Sequence, residues 1–432
     1  MNFKTKVGKE TKKLIERDLK VVSPSLTREY EFAFKRGKGV FVYDLDNKKY
    51  LDFAAGVAVN SLGYNNKEII NAIKKQVNQG VHIGFSDFYC EKPVEFIEKL
   101  LEFVPNNLQK AFLSNSGTES IECAMKLAKW HTRRKWCISF HNAFHGRTYG
   151  SLSLTDSKKI HKDKFEPFLP VKHVTYAYPY RFNGNKQECI NHSLNELEKA
   201  INELQNDVAA IFLEPIQGEG GYIVPPIEFV KGVRELCFKY GILLVVDEVQ
   251  SGCFRTGKFL AIENFKVKPD IVCLSKAIGG GLPLGVTLAS NEIMDWTPGS
   301  HANTLGGSLL ACSAGIATLN YYKKKKIWNN VLNTGKFILS KLEKLKKEHQ
   351  VIGDVRGIGL MIGTEFVDDK KNKWYNVDFR DKLIWKCKDS GLILIGAGKS
   401  VVRFCPPLIL TKKEANLGLK IFEKSLNDIS CK

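Results

Sequence analysis

The sequence predicts an α/β fold with a mostly parallel central sheet and a smaller α+β domain. Between about residues 111 and 319, short apolar segments alternate with longer segments of helical periodicity. This alternation is typical of consecutive β-α-β units in a parallel sheet. After Tyr322 the order changes, with strands predicted at residues 360–366, 392–395 and 401–404 and a C-terminal helix from Lys412. That second pattern indicates a separate α+β domain.

The individual elements follow from their local patterns. Tyrosine and β-branched residues on either side of Asp46-Asn47 predict a hairpin over residues 38–53. The other main elements expected are a polar helix and irregular arm at 1–35, an amphipathic helix at 67–78, a strand at 208–213, a helix at 229–240, and a long helix ending near Glu348. We therefore predict three segments: residues 1–62 as an arm and hairpin of the small domain, 63–321 as the large domain, and 322–432 as the rest of the small domain.

Charge and composition limit the partners. The 65 basic and 46 acidic residues give a net charge of +19, but the lysines are dispersed and the densest run, residues 323–326, has four. Solvated lysine-rich helices explain this better than a nucleic-acid site, so we expect no nucleic-acid partner. No apolar run is long enough to cross a bilayer, and the N-terminal residues lack the apolar core of a secretion signal, so we expect no membrane partner. Eleven scattered cysteines without a CxxC pair predict reduced thiols, a cytoplasmic location and no metal site.

Two predicted buried strands end in residues of opposite charge. The apolar segment at 242–246 is followed by Asp247, and the one at 271–274 is followed by Ser275 and Lys276. Because ligands of open α/β sheets bind at the carboxyl ends of strands, we expect both charges to face one pocket. A carboxylate that pairs a pyridinium nitrogen, with a lysine that forms a Schiff base, is what pyridoxal 5′-phosphate requires. On these residues alone, a turn acid and a surface lysine explain the pattern equally well.

A phosphate site is possible at residues 114–120, where a Ser/Thr-rich turn opens an apolar-periodic helix. The N-terminus of a helix offers unpaired N–H groups and the positive end of its dipole. Gly117 allows close backbone approach, and Thr118 adds a hydroxyl. Taken in isolation, this stretch is more typical of an ordinary helix N-cap.

The loop after the predicted strand at 137–140 carries two histidines, an aromatic residue and an arginine. His141 and His145 have the spacing of a helical zinc site, but an asparagine replaces the expected glutamate and a glycine follows His145, so we reject metal binding. Phe144 can stack on a ring and Arg147 can grip a carboxylate above a pocket. A polar loop anchored by its phenylalanine is an equally good interpretation of this stretch.

Two acids lie in the glycine-rich turn after the strand at 208–213. Glu214 follows that strand directly, as Asp247 follows its own, and Glu219 comes five residues later. Turn acids are commonly solvated, but the position of Glu214 predicts that it faces the same pocket edge. The glycines at 396–400 and 279–285 fit neither the Walker loop nor the dinucleotide fingerprint, which removes the main support for those two nucleotide sites.

Six motifs in order carry a resemblance to a known family: SNSGTES (114–120), FHGRT (144–148), LEPIQGEGGY (213–222), VVDEVQSGCFRTGK (245–258), LSKAIGGGLPLG (274–285) and HANTLGGS (301–308). Together they resemble the class III pyridoxal-phosphate aminotransferases, which include 4-aminobutyrate, ornithine and acetylornithine aminotransferases. The resemblance runs from the hairpin to VVRFCPPL near the C-terminus. It implies a fold-type I, aspartate-aminotransferase-like architecture with pyridoxal phosphate bound in the large domain. It also implies a homodimer with active sites at the subunit interface.

The resemblance implies roles for the residues around the cofactor ring. Lys276 would form the Schiff base and then move the proton, and Asp247 would pair the pyridine nitrogen. Val249 and Phe144 would cover the two ring faces, and Gln250 would bond the phenolic oxygen.

The remaining cofactor-binding residues lie around the phosphate and at the end of a neighbouring strand. Gly117 and Thr118 would hold the phosphate, joined by Thr304 of the partner subunit. Glu214 is assigned to the same cofactor-binding group.

For the substrate, the resemblance implies that Arg403 binds an α-carboxylate and that Glu219 masks Arg403 when the substrate presents a terminal amine. Arg147 would hold the distal carboxylate of a 4-aminobutyrate-like donor. The implied reaction moves an amino group from an ω-amino compound, 4-aminobutyrate- or ornithine-like, to a 2-oxoacid such as 2-oxoglutarate. Three positions depart from the family's commonest residues: Ala302, Asn303 and Ser308.

Two other functions stay open. Some members of the family, with a C-terminal segment similar to GKSVVRFCPPL, are amino-acid racemases, and the cofactor motifs do not separate them from aminotransferases. A catalytically silent scaffold or basic binding protein is the third possibility, against which the joint presence of Asp247 and Lys276 argues. A visible absorbance band lost on borohydride reduction distinguishes either enzyme from the scaffold.

Overall fold

The computed structural model describes residues 7–430, so the first six residues of the predicted N-terminal helix and arm lie outside the described residues. The chain divides into two compact units: residues 67–329 form one, and the segments before and after that range form the other. The helices are α1 (Lys9–Val21), α2 (Ala55–Ala58, a left-handed turn), α3 (Lys67–Val77), α4 (Glu91–Leu101), α5 (Gly117–Thr132), α6 (Tyr149–Leu154), α7 (Lys186–Glu203), α8 (Ile227–Tyr240), α9 (Leu309–Lys325), α10 (Ile327–Glu348), α11 (Val377–Asp389) and α12 (Lys412–Ser430). The strands are β1 (Phe34–Lys38), β2 (Phe41–Asp44), β3 (Lys49–Asp52), β4 (Lys110–Ser114), β5 (Trp136–Phe140), β6 (Val171–Val174), β7 (Val208–Leu213), β8 (Leu243–Asp247), β9 (Ile271–Leu274), β10 (Gly285–Ala289), β11 (Ile352–Ile358), β12 (Met361–Phe366), β13 (Leu392–Ile393), β14 (Ile395–Ala397) and β15 (Val401–Phe404).

The unit at residues 67–329 is built on a seven-stranded sheet in the order β4-β10-β9-β8-β7-β5-β6. Neighbouring strands are parallel except at β10, which is antiparallel to both β4 and β9. Because β10 reverses the direction on both sides, β4 runs in the same direction as the other five strands. The carboxyl ends of β4, β5, β7, β8 and β9 therefore lie along one edge, and the predicted mostly parallel sheet is confirmed.

The central strands are apolar because they are buried on both faces. Every residue of β7 and β9 is buried, as is β8 from its second residue onward. Ile121 and Met125 of α5 pack into one core cluster with Phe212 of β7, Val245 of β8 and Cys273 of β9. This packing fixes α5 beside the strands that end at the predicted pocket.

The start of α5 is set by a local cap. The side chain of Ser116 accepts a hydrogen bond from the backbone N–H of Glu119 at 3.3 Å, the usual N-cap arrangement. The predicted cap at this position is therefore present, and the helix begins directly at Gly117. The first N–H groups of α5 consequently lie at the same edge of the sheet as the ends of the parallel strands.

The second unit contains two four-stranded sheets, ordered β1-β2-β3-β13 and β11-β12-β15-β14. The predicted hairpin is β2 and β3, and the pairing of β3 with β13 joins it to the C-terminal segment. The single strand predicted at 392–395 is wrong, because this stretch is two short strands in different sheets. β13 pairs with β3 and β14 pairs with β15, with the buried Leu394 between them. Residue spacing does not show where a chain leaves one sheet for another.

None of the helices within residues 7–430 combines the length and apolar character needed to cross a bilayer.

Candidate active site

The edge where the parallel strands end gathers most of the predicted site residues. Asp247 ends β8, Glu214 follows β7, and Lys276 follows β9 by two residues. The loop after β5 lies over the end of β7 and reaches β8, because the sheet order there is β5-β7-β8. We call Asp247, His145 and Glu214, which meet at this edge, the cofactor floor.

Asp247 is held by two donors. Its Oδ2 lies 2.8 Å from Nδ1 of His145, and its Oδ1 accepts the backbone N–H of Val249 at 2.9 Å. Both side chains are buried, with 0% of His145 and 6% of Asp247 exposed. The carboxylate is thereby fixed in orientation and keeps lone pairs for one further partner.

The two acids of the cofactor floor favour the protonated form of His145. Burial alone would lower the pKa of His145, but the hydrogen bond and charge of Asp247, with the charge of Glu214, raise it above its ordinary value. Its backbone N–H bonds Oγ1 of Thr155 at 2.9 Å, which fixes the loop that carries the ring. Among residues 7–430, Nε2 of His145 has no hydrogen-bond partner.

Glu214 connects the loops of two strands. Its carboxylate accepts the backbone N–H of Phe144 and that of Gly218, each at 3.0 Å. Burial, together with the Asp247 carboxylate, raises the pKa of Glu214 to about 7, while His145 opposes the rise. Glu214 therefore positions Phe144 above the cofactor floor through its backbone.

The start of α5 forms a tight cradle beside these strand ends. A β-carbon at Gly117 would lie 2.7 Å from Cγ1 of Val249, so any larger residue there would have to displace the Val249 side chain. The hydroxyl of Thr118 lies 2.7 Å from that of Thr148 and 2.6 Å from that of Ser151. The first turn of α5 thus combines the N–H groups of a helix N-terminus with a hydroxyl cluster, which suits a phosphate.

Lys276 begins a 3₁₀ helix immediately after β9, with a left-handed backbone at φ +47°. The preceding Ser275 is anchored by its hydroxyl to the carbonyl of Leu284 at 2.7 Å. A positive φ is uncommon in a residue with a long side chain and is found where surrounding structure enforces it. The register pairing of Asp247 with Cys273 brings the segment that carries Lys276 next to Asp247.

Gln250 is oriented by an aromatic neighbour. The hydroxyl of Tyr222 donates to Oε1 of Gln250 at 2.9 Å. A β-carbon at Gly218 would lie 2.6 Å from Nε2 of Gln250, so the loop after β7 closes over this side chain. With its oxygen engaged, Gln250 presents its amide N–H groups as donors.

Four polar side chains form what we call the substrate edge: Arg147, Lys158, His161 and Glu219. Nε2 of His161 lies 3.4 Å from Nη2 of Arg147, and Nζ of Lys158 lies 3.4 Å from Oε1 of Glu219. Phe144 packs against His161 edge-on, with 5.5 Å between ring centroids, and the Arg147 guanidinium lies 6.0 Å from the Phe144 ring. The substrate edge is therefore continuous with the aromatic residue that Glu214 positions.

Two further predicted site residues are Arg403 and Thr304. Arg403 is a buried residue of β15 in the other unit, where its backbone is in register with Gly363 and Ile395. Thr304 is exposed in the loop before α9, and its predicted role requires a second subunit. The roles of both residues stay predictions.

The atypical residues near Thr304 have local structural roles. Nδ2 of Asn303 donates to the carbonyl of Leu113 at 3.0 Å, and its Oδ1 accepts from Gly306. Ser308 is the N-cap of α9. These two departures thus stabilise the loop against β4 and the start of the following helix.

Taken together, these residues fit a pyridoxal 5′-phosphate. A fixed buried carboxylate suits the ring nitrogen, the cradle at Gly117 suits the phosphate, and a lysine follows the adjacent strand. Within residues 7–430 no group of three or more His, Cys, Asp or Glu side chains could hold a metal ion.

Sequence reasoning missed His145 as a functional residue. Its spacing from His141 suggested only a zinc site, whereas the structure pairs His141 with Asp156 and His145 with Asp247. Its position in a loop after a parallel strand could have indicated the pocket. The contacts of Lys158 and His161 depend on the path of the chain after α6, and no local motif indicated them.

Comparison with known proteins agrees with this geometry. The family model described as "Aminotransferase class-III" matches residues 23–426. The chain is 40% identical over 406 residues to an acetylornithine aminotransferase of Clostridium acetobutylicum, across 92% of this chain and 97% of that protein. It is 37% identical over 434 residues to an alanine/serine racemase of Pyrococcus horikoshii, across 98% of this chain and 91% of that protein.

Solved structures give the same result. The fold is similar to the ω transaminase of Pseudomonas jessenii in complex with PMP, with a TM-score of 0.91, 28% sequence identity, and coverage of 96% of this chain and 97% of that one. A thermostable (S)-enantioselective ω-transaminase of Thermomicrobium roseum matches with a TM-score of 0.90 and 30% identity, across 97% of this chain and 98% of that one. The resemblance predicted from the six motifs and the predicted fold are confirmed, and the chain belongs to the class III aminotransferases, a family of pyridoxal-phosphate-dependent transaminases.

Proposed function

We propose that this enzyme takes the terminal amino group of a donor whose carboxylate lies several bonds away, as in 4-aminobutyrate or an ornithine-like compound, and passes it to a 2-oxoacid such as 2-oxoglutarate. The observation that carries the proposal is the substrate edge, where the exposed Arg147 lies beside Phe144 and the partly buried Glu219 pairs with Lys158. Similarity to acetylornithine aminotransferases supports the same donor class.

The cofactor floor supports the assigned cofactor roles. Pyridoxal phosphate, when bound, supplies an electron sink that makes a proton on the substrate's reacting carbon acidic. Asp247, held by His145, keeps a proton on the ring nitrogen, and Lys276 binds the cofactor covalently and carries the substrate proton between atoms. Val249 and Phe144 cover the ring.

The remaining cofactor contacts follow from the cradle. The N–H groups at Gly117 and the hydroxyl of Thr118 bind the phosphate, with Thr304 of the partner subunit completing the site in a homodimer. Gln250 donates to the phenolic oxygen, because Tyr222 already occupies its amide oxygen. The large domain, proposed as residues 63–321, carries these groups.

The substrate-binding residues act in different half-reactions. Arg147 binds the distal carboxylate of the donor, and Arg403 binds the α-carboxylate of the second substrate. In the donor half-reaction Glu219 masks Arg403, because an exposed cation there would draw every carboxylate into the α position and misplace the reacting amine. In the second half-reaction the α-carboxylate of the 2-oxoacid displaces Glu219 from Arg403.

The second candidate function is amino-acid racemisation, favoured by 37% identity to an alanine/serine racemase and 35% to a leucine/methionine racemase. In both reactions Lys276 takes the proton from the reacting carbon. A racemase returns a proton to that carbon from the other face, whereas an aminotransferase leaves the carbon oxidised. A racemase of neutral amino acids needs an α-carboxylate site but no distal one.

The test measures the two half-reactions separately by single-turnover absorbance of the holoenzyme. Arg147→Gln should raise the donor concentration at half-maximal rate for 4-aminobutyrate or ornithine by about tenfold or more, since a charge-assisted hydrogen bond is lost. The half-reaction with L-alanine, which has no distal carboxylate, serves as the control and should be unchanged. Equal rates with and without Arg147 for every donor would contradict the proposal and favour the racemase.

A cytoplasmic location is part of the proposal. It rests on the abundance of unpaired thiols, since all ten cysteines within residues 7–430 are free.

A further inference from the structure

The ring of His161 lies between a proposed substrate-binding residue and an anchoring hydroxyl. Its Nε2 lies 3.4 Å from Nη2 of Arg147, and its Nδ1 lies 3.2 Å from Oγ of Ser157. A guanidinium can only donate, so Nε2 must be the acceptor in the contact with Arg147. The ring proton therefore belongs on Nδ1, where the serine hydroxyl accepts it. The geometry thus requires a neutral imidazole.

The charges around His161 favour the same neutral form. Burial, the guanidinium of Arg147 and the ammonium of Lys158 lower the pKa of His161, and only the carboxylate of Glu219 opposes them. These groups come from the loop after β5, from the segment of His161 itself and from the loop after β7. The neutral ring therefore persists across the physiological pH range.

The segment that carries His161 is fixed at its start. The backbone N–H of Asp156 donates to the carbonyl of Ala143 at 2.8 Å. Oδ2 of Asp156 lies 2.7 Å from Nδ1 of His141. The segment then supplies Lys158 to Glu219 and ends in the 3₁₀ helix Lys159–His161. It is thus anchored to the loop that contains Arg147.

We propose that His161 is a positioning residue for Arg147: its neutral ring holds the guanidinium at the substrate edge for a distal carboxylate, and protonation of the ring releases it. The inference rests on the proposed function, which gives Arg147 its carboxylate. When His161 is protonated, both of its nitrogens become donors. The hydrogen bond from Arg147 is then replaced by repulsion between two cations.

Three variants of the holoenzyme test the inference, with 4-aminobutyrate and L-ornithine as donors and L-alanine as the control. His161→Leu removes the acceptor and should raise KM for the distal-carboxylate donor about tenfold while kcat changes less than about twofold. His161→Gln keeps an acceptor oxygen that does not titrate, so KM at pH 8 should stay within about twofold of the wild-type value. Ile160→Thr, at an exposed neighbour in the same 3₁₀ helix, is the matched control and should leave KM unchanged.

The pH profile separates positioning from a structural role. The ratio of wild-type KM to that of His161→Gln should stay near one from pH 8 down to about 6.5, the ordinary histidine pKa, and rise only at lower pH, because the pKa of His161 is lowered. A flat or falling ratio overturns the inference, as does an equal loss of kcat in the Leu and Gln variants. If His161→Leu fails to fold, the pH profile of KM for His161→Gln tests the inference by itself.

The Arg147→Gln variant distinguishes failure of the positioning role from failure of the proposed function. If it raises KM for the donor while His161→Leu does not, the positioning role is wrong and the proposed function stands. If Arg147→Gln has no effect on any donor, the proposed function and the positioning role fail together.

Discussion

At the cofactor floor, buried ionisable groups are joined to one another and to backbone N–H groups by bonds of 2.8 to 3.0 Å. At the substrate edge, partly exposed side chains meet at 3.4 Å. A buried charge left unpaired costs far more than an exposed one, so a substitution at the floor should affect all substrates. Replacing a single side chain of the substrate edge should lower the free energy of unfolding only slightly. We therefore expect the floor to determine which reaction is possible and the edge to determine which substrate reacts.

The largest effect is expected at Lys276. Lys276→Ala should lower turnover by more than about a thousandfold with every donor, because it removes both the covalent link and the group that moves the proton. After borohydride reduction of the wild-type enzyme, peptide mapping should place the label on Lys276. A label on a different lysine would show that the edge of β9 is not the reactive position.

The next effect concerns Asp247. Asp247→Asn should retain cofactor but lose at least about a hundredfold in turnover with both distal-carboxylate donors and L-alanine, because a neutral amide no longer favours a protonated ring nitrogen. Absorbance of the purified variant measures cofactor content, and single-turnover kinetics measures the rate. Rates close to wild type would refute the role of the carboxylate.

Much of the cofactor floor could be predicted from sequence because strand ends at one edge of a parallel sheet converge. For that reason Asp247 and Glu214 of the floor, and Lys276 beside it, could be predicted to lie at one edge, since each follows a predicted buried strand. His145 was missed because its spacing from His141 suggested only a zinc site, although its position in the loop after a parallel strand could have indicated the pocket. The substrate edge was harder still. The Lys158–Glu219 pair depends on where the segment after α6 returns, and neither residue type nor spacing encodes that path.

A pH-dependent prediction follows for His145. Because the folded protein raises the pKa of His145, the resulting stabilisation should be complete below its unfolded value, about 6.5, and should be lost as the pH rises through the folded value. The difference in Tm between the wild type and His145→Gln should accordingly be largest below pH 6.5 and shrink at higher pH. Exposed His192 offers the matched control, since His192→Gln should change Tm far less than His145→Gln does below pH 6.5. A His145→Gln difference that grows with pH would contradict the assignment.

The smallest effect is expected at the cradle of α5. Gly117→Ala places a β-carbon 2.7 Å from Val249, and relief of that overlap costs about 1–3 kcal/mol in a packed site. Cofactor affinity, measured by reconstitution of the apoenzyme, should fall about tenfold. The double variant with Val249→Ala should recover part of the loss because the overlap is removed. No recovery would mean that Gly117 is needed for a different reason.

The most direct test of the central claim follows amino-group transfer and chirality in the same assay. The wild-type holoenzyme is incubated with 2-oxoglutarate and a panel of 4-aminobutyrate, L-ornithine, N-acetylornithine, L-alanine and L-leucine. Glutamate formation is measured for every donor, and the two enantiomers are measured for each chiral amino acid. We predict stoichiometric glutamate from at least one donor with a distal carboxylate and negligible D-amino acid. Rapid appearance of D-alanine or D-leucine without glutamate would contradict the account and identify a racemase.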